Sequence, residues 1–178
     1  MKRRILLLAF LLLSILCSCS KAQNTFKVSI IADYTYKGNK VTAVESIRKV
    51  NLFFEKYNIK FEVSDYISTN LIADDSTLSS SLDNFKNRDP HVHKITMLFT
   101  GKHAGRKVGI SFIGRFGTDL SCLVVDMDYI TNEYVLIHEI LHLMGLQHSK
   151  DPNNIMFPRS QALGVTPEQE EIIKQYGE

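Results

Sequence analysis

Cysteine is scarce in this chain: three residues in 178, at positions 17, 19 and 122. The first two close an amino-terminal apolar run, so Cys122 is left alone in the body of the chain and a disulfide framework is excluded. Set in an apolar stretch, Cys122 reads as a small buried hydrophobe. An excess of one charge sign is missing too. The 21 Lys and Arg outnumber the 19 Asp and Glu, but Lys2, Arg3 and Arg4 belong to the amino-terminal leader, and without them the balance is 18 against 19. No basic field remains for nucleic acid, which is not an expected partner. Long apolar runs are also absent. The leader's Ile5 to Leu16 covers twelve residues, too few to span a bilayer as a mature helix. Repeats, low-complexity tracts and linkers are missing, so 178 residues with 44% apolar content imply one domain with one core.

What is present centres on His138-Glu139-Ile140-Leu141-His142-Leu143-Met144-Gly145-Leu146-Gln147-His148. The first five residues are the H-E-x-x-H zinc signature. A helix turns about 100° and rises about 1.5 Å per residue, so His138 and His142 share a face about 6 Å apart along the axis. Two imidazoles at that spacing can reach one tetrahedral ion at about 2.0–2.1 Å. Glu139 is not a ligand in this pattern; it is placed to take a proton from a water at the metal. Gly145 stands where a helix commonly ends in a left-handed residue, and such a break lets His148 supply a third nitrogen. Three histidines leave one corner of the ion open, as catalytic sites require and structural sites do not. At ordinary residue frequencies the eleven-residue pattern is on the order of a thousand times rarer than its first five residues.

H-E-x-x-H-x-x-G-x-x-H followed by a methionine turn resembles the metzincin metallopeptidases. Met156, in Asn154-Ile155-Met156-Phe157-Pro158, fits that turn, and His148-Ser149 with Met156-Phe157-Pro158 is most similar to the matrixin branch. The resemblance implies an α+β, zincin-like catalytic domain: a twisted mixed sheet of about five strands, an active-site helix, the Met-turn and a carboxy-terminal helix. It implies one catalytic Zn2+ on His138, His142 and His148, Glu139 as general base, and Met156 as a floor beneath the ion. Phe157 and Pro158 fall where relatives line the pocket for the residue after the cut bond. No Met-x-Tyr follows, so a tyrosine ligand is not implied, and the residues that hold calcium or a second zinc in matrixins are not recognisable. Gly109-Ile110-Ser111-Phe112-Ile113-Gly114 resembles the family's substrate-binding edge strand, on which an extended peptide adds as a further strand.

The leader reads as a secretory signal: basic Lys2-Arg3-Arg4, the apolar run, then Leu16-Cys17-Ser18-Cys19. That last segment resembles a bacterial lipobox, with lipid attachment at Cys19 and an anchor in the cell envelope. Cleavage after Ser20-Lys21-Ala22, giving a secreted or periplasmic protein, is the other reading. Residues 1–18 are thus the expected signal, 19–25 a short tether and 26–178 the catalytic domain, expected to be a monomer. Few residues separate Cys19 from the first strand, leaving no room for an inhibitory propeptide.

Periodicity predicts a strand from Phe26 to near Tyr36, a turn at Lys37-Gly38-Asn39, and a helix from near Thr42. That helix has Val44, Ile47, Val50, Phe54 and Tyr57 on its apolar face. Strands follow at 59–66, 94–100, 108–113 and 120–125, the first expected to run parallel to its predecessor. The segment 74–88 reads as a short helix or a structured loop, and His91, His93 and His103 as surface histidines. Thr131 is a candidate N-cap for the active-site helix, with Glu133 at its positive end. Thr166-Pro167-Glu168-Gln169 is a capping box opening a last helix through Tyr176.

A peptide or protein substrate is the partner these expectations imply. Two alternatives are a gluzincin-type peptidase, with Glu168 or Glu171 as third ligand, and a lipid-anchored binding module that keeps zinc and cleaves nothing.

Overall fold

The computed structural model of the chain describes residues 22–33, 36–69, 95–100, 109–112, 121–126, 132–158 and 161–178. The expectations for the leader with Cys19, segment 74–88, His91, His93, His103, Ile113, Thr131 and the side chain of Cys122 lie outside the described residues.

In chain order the elements are β1 (Asn24–Asp33), α1 (Lys40–Phe54) with a 3-10 turn at Glu55–Tyr57, and β2 (Ile59–Thr69). Then come β3 (Ile95–Thr100), β4 (Gly109–Phe112), β5 (Ser121–Asp126), α2 (Asn132–Leu143) and α3 (Pro167–Lys174). The strands form one sheet in the order β2-β1-β3-β5-β4. β1 pairs in parallel with both β2 and β3, β3 pairs in parallel with β5, and β4 returns antiparallel to β5. The strand–helix–strand unit from β1 to β2 therefore closes in parallel, as read from the sequence.

Register decides which side chains share a face. Val28, Ile30 and Ala32 stand opposite Ile95, Met97 and Phe99, and because side chains alternate along a strand, all six face one way. They join Ile47, Val50 and Phe54 of α1 and Leu136, Ile137, Ile140 and Leu141 of α2 in one buried cluster. Burying a side chain of this size stabilises by about 1.5–3 kcal/mol, so the cluster fixes α2 against the sheet. Along the sheet, α2 lies beside β4 and β5.

The first helix departs from its expected start. α1 begins at Lys40, because Asn39 is its N-cap and not part of a turn: the Asn39 Oδ1 accepts from the Thr42 N–H at 3.1 Å. That start sets the helix's inward face. Ala43 is buried, while Val44 is 42% exposed, and the inward residues Ala43, Ile47, Val50 and Phe54 keep the spacing a helix face requires. β1 ends at Asp33, short of Tyr36.

Candidate metal centre

α2 carries the first two histidines on a helix whose inward side is apolar. Leu136, Ile137, Ile140, Leu141 and Leu143 are all buried, so its orientation is set by packing and the polar residues go where packing sends them. Its end is set by hydrogen bonds. The Leu146 N–H donates to the Leu141 carbonyl at 3.0 Å and the Gly145 N–H to the His142 carbonyl at 2.9 Å. Gly145 has φ +96°. This is the paired-bond closure of a helix through a left-handed residue, and it reverses the chain as the glycine spacing predicted. Two residues beyond Leu146 the chain reaches His148.

The reversal brings His138, His142 and His148 together, with one ligand atom from each lying within 4.8 Å of the others. His138 lies deepest, His142 is half-buried and His148 is exposed. The Nε2 atoms of His142 and His148 are 3.1 Å apart, close to the edge of a tetrahedron whose ligands stand about 2.0–2.1 Å from a shared ion. The Nδ1 of His138 meets the Ile155 carbonyl at 2.7 Å, and the Nδ1 of His142 meets the Leu146 carbonyl at 2.8 Å. A carbonyl only accepts, so each Nδ1 carries the proton and donates, leaving Nε2 with a free lone pair. Burial acts in the same direction. It pushes the His138 pKa down to about 4, with His142 and His148 adding to the effect against the Ile155 hydrogen bond. Burial also lowers the pKa of His142. Neutral imidazoles with Nδ1 held by backbone are the donor set a divalent zinc-type ion takes, and these residues fit one.

Glu139, between the two helical histidines in sequence, is 6% exposed. The chain after His148 doubles back beneath the helix. The Ser149 N–H donates to the Met156 carbonyl at 2.9 Å, and Met156 is fully buried. Asp151 to Asn154 supply the turn through Asn153 N–H to Asp151 Oδ1 at 2.9 Å and Asn154 N–H to the Asp151 carbonyl at 3.0 Å. Phe157 is half-buried and Pro158 exposed. Glu168 and Glu171, the alternative third ligands, are not in the cluster found among the described residues. They lie on α3, where Glu171 accepts from Lys174. β4 stands at the sheet's edge with β5 as its paired strand, and Gly109, Ile110, Ser111 and Phe112 lie on it.

Three participants were not legible beforehand. The Ile155 and Leu146 carbonyls are backbone groups, for which composition carries no signal. Gly164 forms a bridge with Asn154, and a Cβ there would come within 2.4 Å of the Asn153 carbonyl oxygen; a lone glycine in a loop announces nothing of the kind. The capping box at Thr166 and Gln169 is present as read.

The sequence pattern of metallo-peptidase family M12 matches residues 22–169. Among solved structures, the chain is similar to archaemetzincin from Methanopyrus kandleri, at 14% identity and TM-score 0.62 over 88% of this chain and 98% of that one. It is similar to metalloproteinase-II from Bacteroides fragilis at 15% identity and TM-score 0.62, over 88% of this chain and 55% of that one. A chain in the structure of a chaperone-substrate complex shares 12% identity at TM-score 0.61, over 89% of this chain and 35% of that one. The chain thus spans about half the length of metalloproteinase-II and about a third of the chain from the chaperone-substrate complex. No curated protein matches. At these identities the structural likeness establishes a mixed α/β fold similar to zincin-like metallopeptidases.

Proposed function

The chain belongs to metallo-peptidase family M12, and from that premise we propose that it is a zinc-dependent endopeptidase of metzincin type. The observation that carries the reading is the convergence of three imidazoles, two of them turned Nε2-outward by backbone carbonyls. His138, His142 and His148 would hold one zinc ion. When bound, zinc supplies a Lewis acid that acidifies water and polarises a peptide carbonyl. Glu139 takes the proton of the attacking water and passes it to the leaving amine, a role that contributes about 10²–10⁴-fold to rate in positioned general bases.

Substrate would bind as an added strand along β4, its backbone pairing with the edge at Gly109 to Phe112. Phe157 and Pro158, following Met156, would wall the pocket after the cut bond; the matrixin-like wording of this turn supports that. The leader supports export, with a lipid anchor at Cys19 in the cell envelope.

An unbiased peptide library incubated with the zinc-loaded chain tests the activity. Cleavage that stops with chelator and returns with zinc is the expected result. Intact peptides throughout would favour the non-catalytic binding module instead.

A further inference from the structure

We propose that Gln169 is a positioning residue for the ligand His138, acting from α3 through Asn154 and the turn that follows it. This rests on the zinc site above but not on proteolysis. In the capping box, the Gln169 Oε1 accepts from the Thr166 N–H at 2.9 Å, which closes the first turn of α3 and needs nothing further. The same oxygen accepts a second hydrogen bond, from the Asn154 Nδ2 at 2.7 Å, fifteen residues back.

The direction of this chain of bonds is not arbitrary. Thr166 N–H is a donor, so an oxygen of Gln169 must face it; the Asn154 atom facing that oxygen must then be the amide nitrogen. Oδ1 of Asn154 is left to accept from the Met156 N–H, as it does at 2.8 Å. Asn154 is 3% exposed, so water cannot substitute for either partner without cost.

Between Asn154 and Met156 stands Ile155, and both of its peptide groups are committed. Its N–H donates to the Gly164 carbonyl at 2.7 Å, and its carbonyl receives the His138 Nδ1–H at 2.7 Å. The Ile155 carbonyl therefore points where the Asn154 side chain and the Gly164 bridge hold it. It fixes the tautomer and ring plane of His138. At its far end α3 is tied to the active-site helix by the Tyr176 hydroxyl, which donates to the Met144 carbonyl at 3.2 Å. α3 thus braces both the end of the helix that carries two ligands and the turn whose carbonyl orients His138, and Gln169 is its link to that turn.

A group that hydrogen-bonds a metal ligand typically changes the affinity by about 10–100-fold when lost, and Gln169 stands further out, behind the Ile155 carbonyl. The test is zinc affinity by competition with a chromophoric chelator, alongside the visible absorption of the cobalt-substituted protein, which reads ligand orientation. Gln169→Met keeps the volume and removes the acceptor. It should weaken zinc binding by up to about 10-fold, the lower end of that range, and alter the cobalt bands. Gln169→Glu keeps an oxygen that can accept both bonds and should restore wild-type affinity and bands. Thr166→Ala weakens the same helix cap without touching Asn154; it should lower the metal-free unfolding midpoint and leave zinc affinity unchanged. Gln169→Ala carries the same expectation as methionine should the latter not fold. Wild-type affinity and spectrum in Gln169→Met or Gln169→Ala, or an equal loss in Thr166→Ala, would overturn the proposal. A wild-type chain that binds no zinc would instead overturn the site itself.

Discussion

His148 is the residue on which the ligand set turns, since it is exposed and comes from the chain beyond the helix. His148→Ala should reduce zinc affinity by more than about 100-fold, beyond the range seen when only an outer partner is lost. Glu168→Ala and Glu171→Ala should leave affinity unchanged; the reverse pattern in a metal titration would identify a glutamate ligand. The buried histidines also set a pH dependence. His138, with its pKa pushed down to about 4, and His142, lowered in the same direction, are protonated more readily in the unfolded chain than in the folded one. Stability of the metal-free protein is therefore complete above the ordinary histidine value of about 6.5 and falls as pH drops toward the folded value. Chemical denaturation from pH 7.5 to 4 in chelator should show that decline, flattened in His138→Ala. His138 and His142 were legible at this scale because their spacing is a statement about helix geometry. The carbonyls that orient the imidazoles were not, because backbone has no letter in the sequence.

Among the elements, the end of α2 was the most legible, for Gly145 has both the position and the φ of +96° that a left-handed helix end requires. A Cβ there would meet nothing within 4 Å, so Gly145→Ala tests backbone strain alone. It should cost about 1–2 kcal/mol in denaturant unfolding and lower zinc affinity by displacing His148. An unchanged midpoint would mean that the left-handed turn is not required. Gly164→Ala differs in kind, since its Cβ would press on the Asn153 carbonyl oxygen and force the bridge open. The start of α1 was less legible. Val41, Val44 and Leu52 are apolar yet exposed, and they blur the periodicity that should have pointed to Ala43. Asn39 as cap was hidden behind a turn-like Lys37-Gly38-Asn39, since asparagine serves both roles. The start of α3 was read correctly because its capping box is local, although the helix ends at Lys174, short of Tyr176; the bond from Gln169 to Asn154 joins segments that only the fold brings together.

At the scale of the whole molecule, the sheet and α1 serve to hold α2 still, and the metal would tie α2 to His148 on the chain that reverses after it. Strand order could not be read from strand content, because pairing depends on contacts distant in sequence, although the parallel β1–β2 unit followed from the intervening helix. A ligand that binds only the folded state stabilises it by about 2.7 kcal/mol at a hundred times its dissociation constant. Zinc should accordingly raise the unfolding temperature of the wild-type chain and have little effect on a His138→Ala/His142→Ala double variant. The claim beneath all of this is that three nitrogens hold one ion while Glu139 moves the proton. It is tested most directly by zinc content and peptide turnover measured on one sample of Glu139→Gln. One zinc per chain with turnover reduced at least about 100-fold is the predicted result; cleavage at the wild-type rate by that zinc-loaded variant would contradict it.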